Sequence, residues 1–397
     1  MAGSVLEVAD IVRSHRVDYE AARNGRVTHA ERKVLRAIET CRTQALGGHV
    51  DECDNCGHQV ISYNSCRNRH CPKCQASVSA EWVDERQEDL LPVPYFHVVF
   101  TVPREIAAVA QQNKKLVYGI LFQSSAEAIR EIAAHPKHLG VEVGVVAVLH
   151  TWGQRLDHHP HIHCLIPGGG LSPDRSRWLS SRPSFFLPVR VLGSLFRGKF
   201  LHRLRKSFER GDLVLKGGLS SLASPAQFRS FAASLYERKW VVYSKPPFGG
   251  PDRVLKYLAR YTHRVAIANS RLVELKDGRV YFIWKDYAHK GRRRVMNLGA
   301  VEFLRRFLLH ILPKGFVRIR HYGFLANRCR KERLELCQKL LRAQRSQPLH
   351  AAADETHSTE ETRPCPACRQ GRMLCVEVFE AGESPSKRRV PSPDDST

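Results

Sequence analysis

Residues 140–170 read GVEVGVVAVLHTWGQRLDHHPHIHCLIPGGG, and two apolar stretches in this segment indicate the fold class. The first, GVEVGVVAVLHTW, is rich in β-branched residues and has the length of a buried strand. The second, HIHCLIP, predicts another strand that ends before Gly168–Gly170. Because side chains alternate between the two faces of a strand, His161 and His163 share a face and could bind one divalent ion.

The flanking sequence alternates strands and helices. YFHVVFTVP, ending at Pro103, predicts a strand, and residues 104–135 predict a long helical stretch. Further along, WVVYS predicts a strand, and RLVELKDGRVYFIWKDY predicts a hairpin that turns at Asp277–Gly278. Strands that alternate with helices and include a hairpin indicate an α+β fold.

Cysteine pairs near the N-terminus predict a structural zinc site. The expected ligands belong to two CxxC pairs and are Cys53, Cys56, Cys71 and Cys74. Four thiolates bind zinc tetrahedrally and leave no open position for chemistry. The surplus candidates nearby are Cys66, His70, His49, His58 and Cys41, of which Cys66 or His70 could replace a ligand or belong to a second ion. Near the C-terminus, Cys365-x-x-Cys368 is only half of such a pattern, and a surface turn with free thiols explains it equally well.

The charge of the chain favours an anionic partner. Lys and Arg number 63 against 39 Asp and Glu, a formal net charge of +24, which points to nucleic acid. Residues 285–346 alone hold 17 Lys and Arg against 4 Asp and Glu, interleaved with aromatic residues, as in a groove that follows a phosphate backbone. Within this stretch Arg292, Arg293 and Arg294 are candidates for DNA contact. No apolar run reaches the ~18 residues of a membrane helix, and no secretory signal is seen.

A second motif predicts a helix with two tyrosines. Tyr257 and Tyr261 are four residues apart in YLARYTHR, so they share one face of a helix. A ridge of basic residues follows on the neighbouring face: Lys256, Arg260 and Arg264. Two core tyrosines would satisfy the same pattern. As a nucleophile, however, tyrosine could attack a phosphodiester and leave a 5′-phosphotyrosyl link with a free 3′-OH.

Six segments resemble, in the same order, blocks of the insertion sequence 91 family of rolling-circle transposases. They are CRTQALGGHVDECDNCG, NSCRNRHCPKCQ, YFHVVFTVP, LHTWGQRLDHHPHIHCLIPGGG, YLARYTHRVAIANSRL and RRFLLHILPKGFVRIRHYGFLAN. The resemblance covers roughly residues 10–335. It implies an HUH endonuclease domain, with an antiparallel sheet and flanking helices, preceded by a small helical and zinc-binding domain. It also implies nicking and transfer of single-stranded DNA with Mg²⁺ or Mn²⁺.

The resemblance assigns roles to individual residues. His161 and His163 match the metal-binding pair, and Tyr257 and Tyr261 match the nucleophile pair. The third metal ligand stays open between Gln154 and His159, with Gln154 preferred because Pro160 could turn His159 away.

This reading divides the chain into three parts and assigns them a function. Residues 1–94 form the helical and zinc-binding DNA-docking domain, 95–335 the transposase domain, and 336–397 a basic helix end and a mostly disordered tail with a lone CxxC. The expected partners are single-stranded DNA at the element's ends and target DNA, in a bacterial, nucleoid-associated, cytoplasmic protein. The alternatives are a replication initiator or relaxase of the HUH type, or a zinc-dependent DNA-binding regulator without catalysis.

Overall fold

The computed structural model describes residues 6–75, 89–182, 186–238, 240–248, 265–344 and 363–385. The helices in these residues are α1 (Val8–Ala22), α2 (His29–Thr40), α3 (Ile106–Gln112), α4 (Lys114–Ala134), α5 (Val189–Glu209), α6 (Pro225–Glu237), α7 (Ala300–Leu308) and α8 (Arg330–Gln344). The strands are β1 (Gly48–Cys53), β2 (Gln59–Tyr63), β3 (Tyr95–Thr101), β4 (Gly144–Trp152), β5 (His158–Pro167), β6 (Gly169–Leu171), β7 (Trp178–Ser180), β8 (Val241–Phe248), β9 (Leu272–Lys276), β10 (Arg279–Asp286), β11 (Arg292–Gly299), β12 (Ile319–Gly323) and β13 (Met373–Phe379). No helix among them is long and apolar enough to cross a membrane.

The central element is a five-stranded sheet in the order β12-β4-β5-β3-β8. Every neighbouring pair is antiparallel, which confirms the predicted α+β class. One face buries the alternating apolar residues of β3, β4 and β5, such as Phe100, Leu149 and Ile162. They share a hydrophobic core with α4 and α5, so the opposite face of these strands is left for polar side chains.

β5 begins three residues before the predicted strand HIHCLIP and contains Pro160. The strand begins at His158, which pairs with Trp152 of β4. The register between β4 and β5 shifts between His150 and Trp152, and such an irregularity tolerates a residue that has no backbone N–H. His159 therefore belongs to the strand and does not lie in the preceding loop.

A second core joins the N-terminal helices to the predicted hairpin. β9 and β10 form a hairpin that turns at Asp277 and Gly278, as predicted. Both of these residues have positive φ, as this kind of turn requires. β11 adds a third strand to this hairpin. Val12 of α1, Phe282 of β10 and Phe303 of α7 belong to one buried cluster. Within it α1 packs on α7, and α7 in turn packs on β10 and β11.

The C-terminal segment forms part of an N-terminal sheet. β13 pairs with β1 along its whole length, in a sheet of order β13-β1-β2. The prediction of a mostly disordered tail with a lone CxxC is therefore wrong for residues 363–385, whose order comes from a partner strand more than 300 residues away. The remaining tail residues, 345–362 and 386–397, lie outside the described residues.

One close backbone approach gives a test of this fold. At the end of β12, Gly323 has φ +63, and a Cβ there would lie 1.7 Å from the carbonyl oxygen of Val143. We expect Gly323→Ala to lower the free energy of unfolding by more than about 3 kcal/mol, because left-handed strain adds to a backbone clash. Denaturant unfolding would measure the change.

The matched control is Gly119→Ala in the middle of α4, where a Cβ would meet nothing within 4 Å. There alanine should raise the free energy of unfolding by roughly 0.5–1 kcal/mol, because it has the higher helix propensity. Equal stability of the two variants would contradict the β12–β4 packing.

Candidate active site and cysteine clusters

Three histidines meet on the polar face of the central sheet. His161 and His163 project from the middle strand, β5, and His150 projects from β4, where it is the register partner of His161. One ring nitrogen of each lies within 4.8 Å of the others. His150 is buried, whereas His161 and His163 are half-buried, so the cluster borders solvent on one side.

Neighbouring groups orient two of these rings. Nδ1 of His161 lies 2.7 Å from the carbonyl oxygen of His159, and Nδ1 of His163 lies 2.8 Å from Nε2 of His97. The rings of His97 and His163 stack, with centroids 5.0 Å apart. Burial lowers the pKa of His97 to about 3, so this ring is neutral at pH 7. Because both contacts use Nδ1, Nε2 is the nitrogen that His161 and His163 can offer to a ligand.

The histidines lie in an open cleft with a volume of about 1010 Å³. Tyr243 and Lys245 of β8 line one side, and Trp284, Lys285 and Tyr287 line another. Tyr243 and Tyr287 are both more than half exposed. The cleft therefore combines imidazole nitrogens with lysines and accessible aromatic rings.

Both residues considered as a third metal ligand lie beside the histidines. Gln154 lines the cleft, and its side-chain oxygen accepts a hydrogen bond from the backbone N–H of Lys285 at 3.3 Å. The His159 ring lies 5.6 Å from the His161 ring and is not a member of the three-histidine group. His150, which joins that group, was missed. The sequence did contain a signal for it. His150 ends the apolar run GVVAVLH of one predicted strand, and His161 lies on the next predicted strand.

Two other histidines near the cleft have structural contacts. His158 points to the core face of β5, where Nε2 lies 2.7 Å from the Tyr118 hydroxyl and Nδ1 lies 3.1 Å from the Ala107 carbonyl oxygen. His310 contacts Thr151 and the Leu156 carbonyl oxygen. Burial lowers the pKa of His158 to about 4 and that of His310 to about 3. These rings are neutral hydrogen-bonding groups of the interior.

The predicted zinc ligands fall into two separate cysteine clusters. One cluster consists of Cys41, Cys66, Cys71 and Cys74, and the other of Cys53, Cys56, Cys365 and Cys368. The prediction that Cys53, Cys56, Cys71 and Cys74 share one site is therefore wrong. The β1–β2 hairpin separates the two CxxC pairs. It carries Cys53 and Cys56 towards β13, whereas Cys71 and Cys74 return to the end of α2.

The additional candidate zinc ligands, Cys66 and His70, lie in different places. Cys66 joins the first cluster, with its Sγ 3.5 Å from that of Cys74. His70 belongs to neither cluster; it borders a small cavity with Arg69 and His310, and burial lowers its pKa to about 3. Eight cysteines in or near CxxC pairs are enough for two four-cysteine zinc sites, and this number could have suggested them. No local sequence pattern, however, shows which four cysteines share a site.

The basic residues are divided between the surface and the interior. Arg292, Arg293 and Arg294 are exposed on β11, and Arg293 is the register partner of the cleft residue Lys285. By contrast Arg318 is half-buried, and its guanidinium donates to the side chain of Gln75. The remaining candidates lie outside the described residues: Lys256, Tyr257, Arg260, Tyr261 and Arg264.

Two protein-family models match the chain. The model described as "Transposase zinc-binding domain" matches residues 11–102, and the model described as "Putative transposase" matches residues 144–333. The first match includes the first cysteine cluster, and the second includes the three histidines and the hairpin sheet. The chain is thus a transposase with an N-terminal zinc-binding domain.

Curated relatives give the family. Over 394 residues the chain is 52% identical to "Putative transposase y4qJ" of Sinorhizobium fredii, which covers 98% of the chain and 99% of that protein. It is also 27% identical, over 316 residues, to "Transposase for insertion sequence element IS801" of Pseudomonas savastanoi pv. phaseolicola. This alignment covers 77% of the chain and 72% of that protein. No solved structure gives a significant match. The chain belongs to the insertion sequence 91 family of transposases, which implies DNA binding and a nuclease and strand-transfer activity.

Proposed function

We propose that the chain nicks single-stranded DNA at the ends of a mobile element and transfers it through a 5′-phosphotyrosyl intermediate, as in rolling-circle transposition. The observation that carries this proposal is the grouping of His150, His161 and His163 in an open cleft lined by lysines and exposed aromatic rings. A regulator that only binds DNA has no use for three convergent imidazoles. A DNA-cleaving enzyme does, because they can hold an ion beside the scissile phosphate.

The three histidines fit a divalent metal ion. One ring nitrogen of each lies within 4.8 Å of the others, and the contacts of His161 and His163 with His159 and His97 use Nδ1, so Nε2 of each would be the ligand atom. A bound ion would polarise the phosphate and stabilise the departing 3′ oxygen. An all-imidazole set is a poor match to Mg²⁺, which prefers oxygen ligands, so we expect Mn²⁺ to bind more tightly.

Tyr257 and Tyr261 are the proposed nucleophiles, on the basis of their spacing and family resemblance. The phenol oxygen of one tyrosine forms a bond to phosphorus, and the bond from phosphorus to the 3′ oxygen breaks. The phenol proton passes to solvent, and the 3′ oxygen ends as a hydroxyl group. The phosphotyrosyl link preserves the energy of the broken bond, so rejoining to another 3′-OH needs no nucleoside triphosphate.

The cleft walls suit a single strand better than a duplex. Exposed tyrosines at 243 and 287 offer ring faces to unpaired bases, and Arg155 lies over the Trp284 ring at 5.7 Å. Stacking of this kind requires bases that are not paired, whereas the neighbouring Lys285 and Arg293 can contact phosphates of any sequence. We therefore expect binding with weak sequence preference inside the cleft.

The first cysteine cluster is the proposed structural zinc site of the N-terminal domain. Sγ of Cys74 lies 3.5 Å from Sγ of both Cys41 and Cys66, close to the roughly 3.8 Å separation of two thiolates that each lie about 2.3 Å from a tetrahedral zinc. The ion would connect the end of α2 to residues 66–74, and four ligands would leave it no catalytic position.

A covalent-adduct assay tests the proposed function. The chain would be incubated with Mn²⁺ and single-stranded oligonucleotides tiled across the ends of its element, and the DNA-bearing peptide would be identified by mass spectrometry. We expect an adduct on Tyr257 or Tyr261 that is lost in His161→Ala and in the double variant Tyr257→Phe, Tyr261→Phe. Transfer of the bound strand to a second DNA end would distinguish a transposase from a replication initiator.

The control is Tyr287→Phe, which removes an exposed hydroxyl from the same cleft but keeps the ring. It should form the adduct at the unchanged level. Tight DNA binding without an adduct on any tile would disprove the nuclease proposal and leave a zinc-dependent DNA-binding protein.

His97 is proposed as a positioning residue that acts through His163. We expect His97→Phe, which keeps the stacked ring but removes the 2.8 Å contact to Nδ1, to weaken Mn²⁺ binding roughly 10–100-fold. Isothermal titration with Mn²⁺ would measure the affinity, and excess Mn²⁺ should restore adduct formation. A role in folding alone would lower stability without this rescue.

Tyr118→Phe provides the comparison for His97→Phe. It removes the 2.7 Å contact to His158, a histidine of the same strand that points to the core. Its Mn²⁺ affinity should equal that of the unsubstituted chain. Equal loss in both variants would show that the effect comes from general destabilisation of β5.

The exposed arginines of β11 should follow the phosphate backbone. We expect the double variant Arg292→Gln, Arg293→Gln to bind single-stranded DNA more weakly, with a salt-dependence slope smaller by about 1.4, because each phosphate contact contributes about 0.7. Fluorescence anisotropy over a range of salt concentrations would measure both quantities.

The double variant Arg305→Gln, Arg306→Gln removes the same total charge and serves as the control. Both of these arginines pair with Glu302 on α7, so their loss should leave the slope unchanged. Equal slopes for the two double variants would mean that net charge, and not the β11 surface, governs binding.

A further inference from the structure

Cys53 and Cys56 meet a second CxxC pair from the far side of the transposase domain. Sγ of Cys53 contacts that of Cys368, 315 residues away, and Sγ of Cys56 contacts that of Cys365, 309 residues away. We propose that these four thiolates bind a second structural zinc ion, which fastens the C-terminal segment to the N-terminal hairpin. The match to the zinc-binding domain model ends at residue 102, so it includes Cys53 and Cys56 but neither Cys365 nor Cys368.

The sulfur separations match a shared ion. Both contacts measure 3.7 Å, and the four sulfur atoms lie within 4.8 Å of one another. Thiolates bound to one tetrahedral zinc lie about 3.8 Å apart, whereas a disulfide would bring two of them to about 2 Å. The four sulfurs are therefore spaced as ligands and not as two disulfide bonds.

The same turn surrounds each cysteine pair. In the first turn the backbone N–H of Gly57 donates to the carbonyl oxygen of Cys53 at 3.0 Å, and in the second the N–H of Arg369 donates to that of Cys365 at 3.0 Å. Gly57 and Arg369 both follow the second cysteine of their pair and have similar positive φ values, +65 and +59. A left-handed arginine is unfavourable because its Cβ crowds the following carbonyl oxygen, so the surroundings of this turn must hold it.

The second turn also supplies donors to sulfur. The backbone N–H of Ala367 lies 3.4 Å from Sγ of Cys365, and that of Gly371 lies 3.3 Å from Sγ of Cys368. N–H groups aimed at sulfur favour the thiolate, which is the metal-binding form. At Gly371 a Cβ would come within 2.5 Å of Sγ of Cys53, so glycine allows the backbone to close over the cluster.

The site stands at one end of a continuous backbone connection. Asp54 and Arg372 exchange two hydrogen bonds next to the sulfurs, at 3.1 and 2.8 Å. From there β13 runs antiparallel to β1 as far as Gly48 and Phe379. Gln44 then bonds Gly382 at the other end. β1 is the middle strand of its sheet, with β2 on one side and β13 on the other. The ion would therefore hold β13 in its place beside β1.

Thiol footprinting of the unsubstituted, zinc-loaded chain is the first test. Cys56 and Cys375 are both exposed, so solvent access alone predicts that iodoacetamide labels them at similar rates. With zinc bound, we expect Cys56, Cys365 and Cys368 to be protected while Cys375 is labelled at once. A chelator should remove that protection. Labelling of Cys56 as fast as Cys375 in the zinc-loaded chain would overturn the proposal, whether or not any variant folds.

Zinc content measured by native mass spectrometry is the second test. We expect two zinc ions per chain, one in Cys368→Ser, one in Cys71→Ser and two in the control Cys375→Ser. Amide exchange in Met373–Phe379 should accelerate in Cys368→Ser and not in Cys71→Ser. One ion in the unsubstituted chain that Cys368→Ser retains, or two in Cys368→Ser, would overturn the proposal, whereas one ion that only Cys368→Ser loses would contradict the first zinc site alone.

Discussion

The antiparallel register between β4 and β5 holds the candidate active site together. It sets His150 opposite His161 and leaves Ile162 and Leu149, one position away on each strand, in the hydrophobic core. A slip of one residue would turn the histidines into that core and expose the apolar side chains. The burial of the core face therefore fixes the register, and the register brings the three imidazoles to one place.

Hydrogen bonding makes this polar face compatible with a folded sheet. His97 is nearly fully buried, yet its ring has a partner in His163, and His161 has one in the His159 carbonyl oxygen. A buried polar group without such a partner would destabilise the fold by several kcal/mol. The contacts that stabilise the sheet are thus the same contacts that orient the rings.

Sequence alone predicts what depends on short-range periodicity, and it misses what depends on register or long-range pairing. Alternation along one strand was sufficient to place His161 and His163 on one face, and the turn preference of Asp277–Gly278 was sufficient for the hairpin. His150 could not be assigned, because its position opposite His161 depends on how two strands align. The pairing of Cys53 with Cys368 likewise depends on a strand contact across more than 300 residues. Composition predicts the net charge but not that Arg318 uses its guanidinium to bond Gln75 inside the protein.

The first cysteine cluster reaches the cleft through shared packing. Cys41, Cys71 and Cys74 belong to the same buried cluster as Leu156, in the loop between β4 and β5. Leu156 is fully buried with φ +62, a conformation that a bulky residue keeps only when its surroundings hold it. The next two residues towards the N-terminus, Arg155 and Gln154, line the cleft. The cysteine cluster of the N-terminal domain and the loop that forms this wall of the cleft therefore share one hydrophobic core.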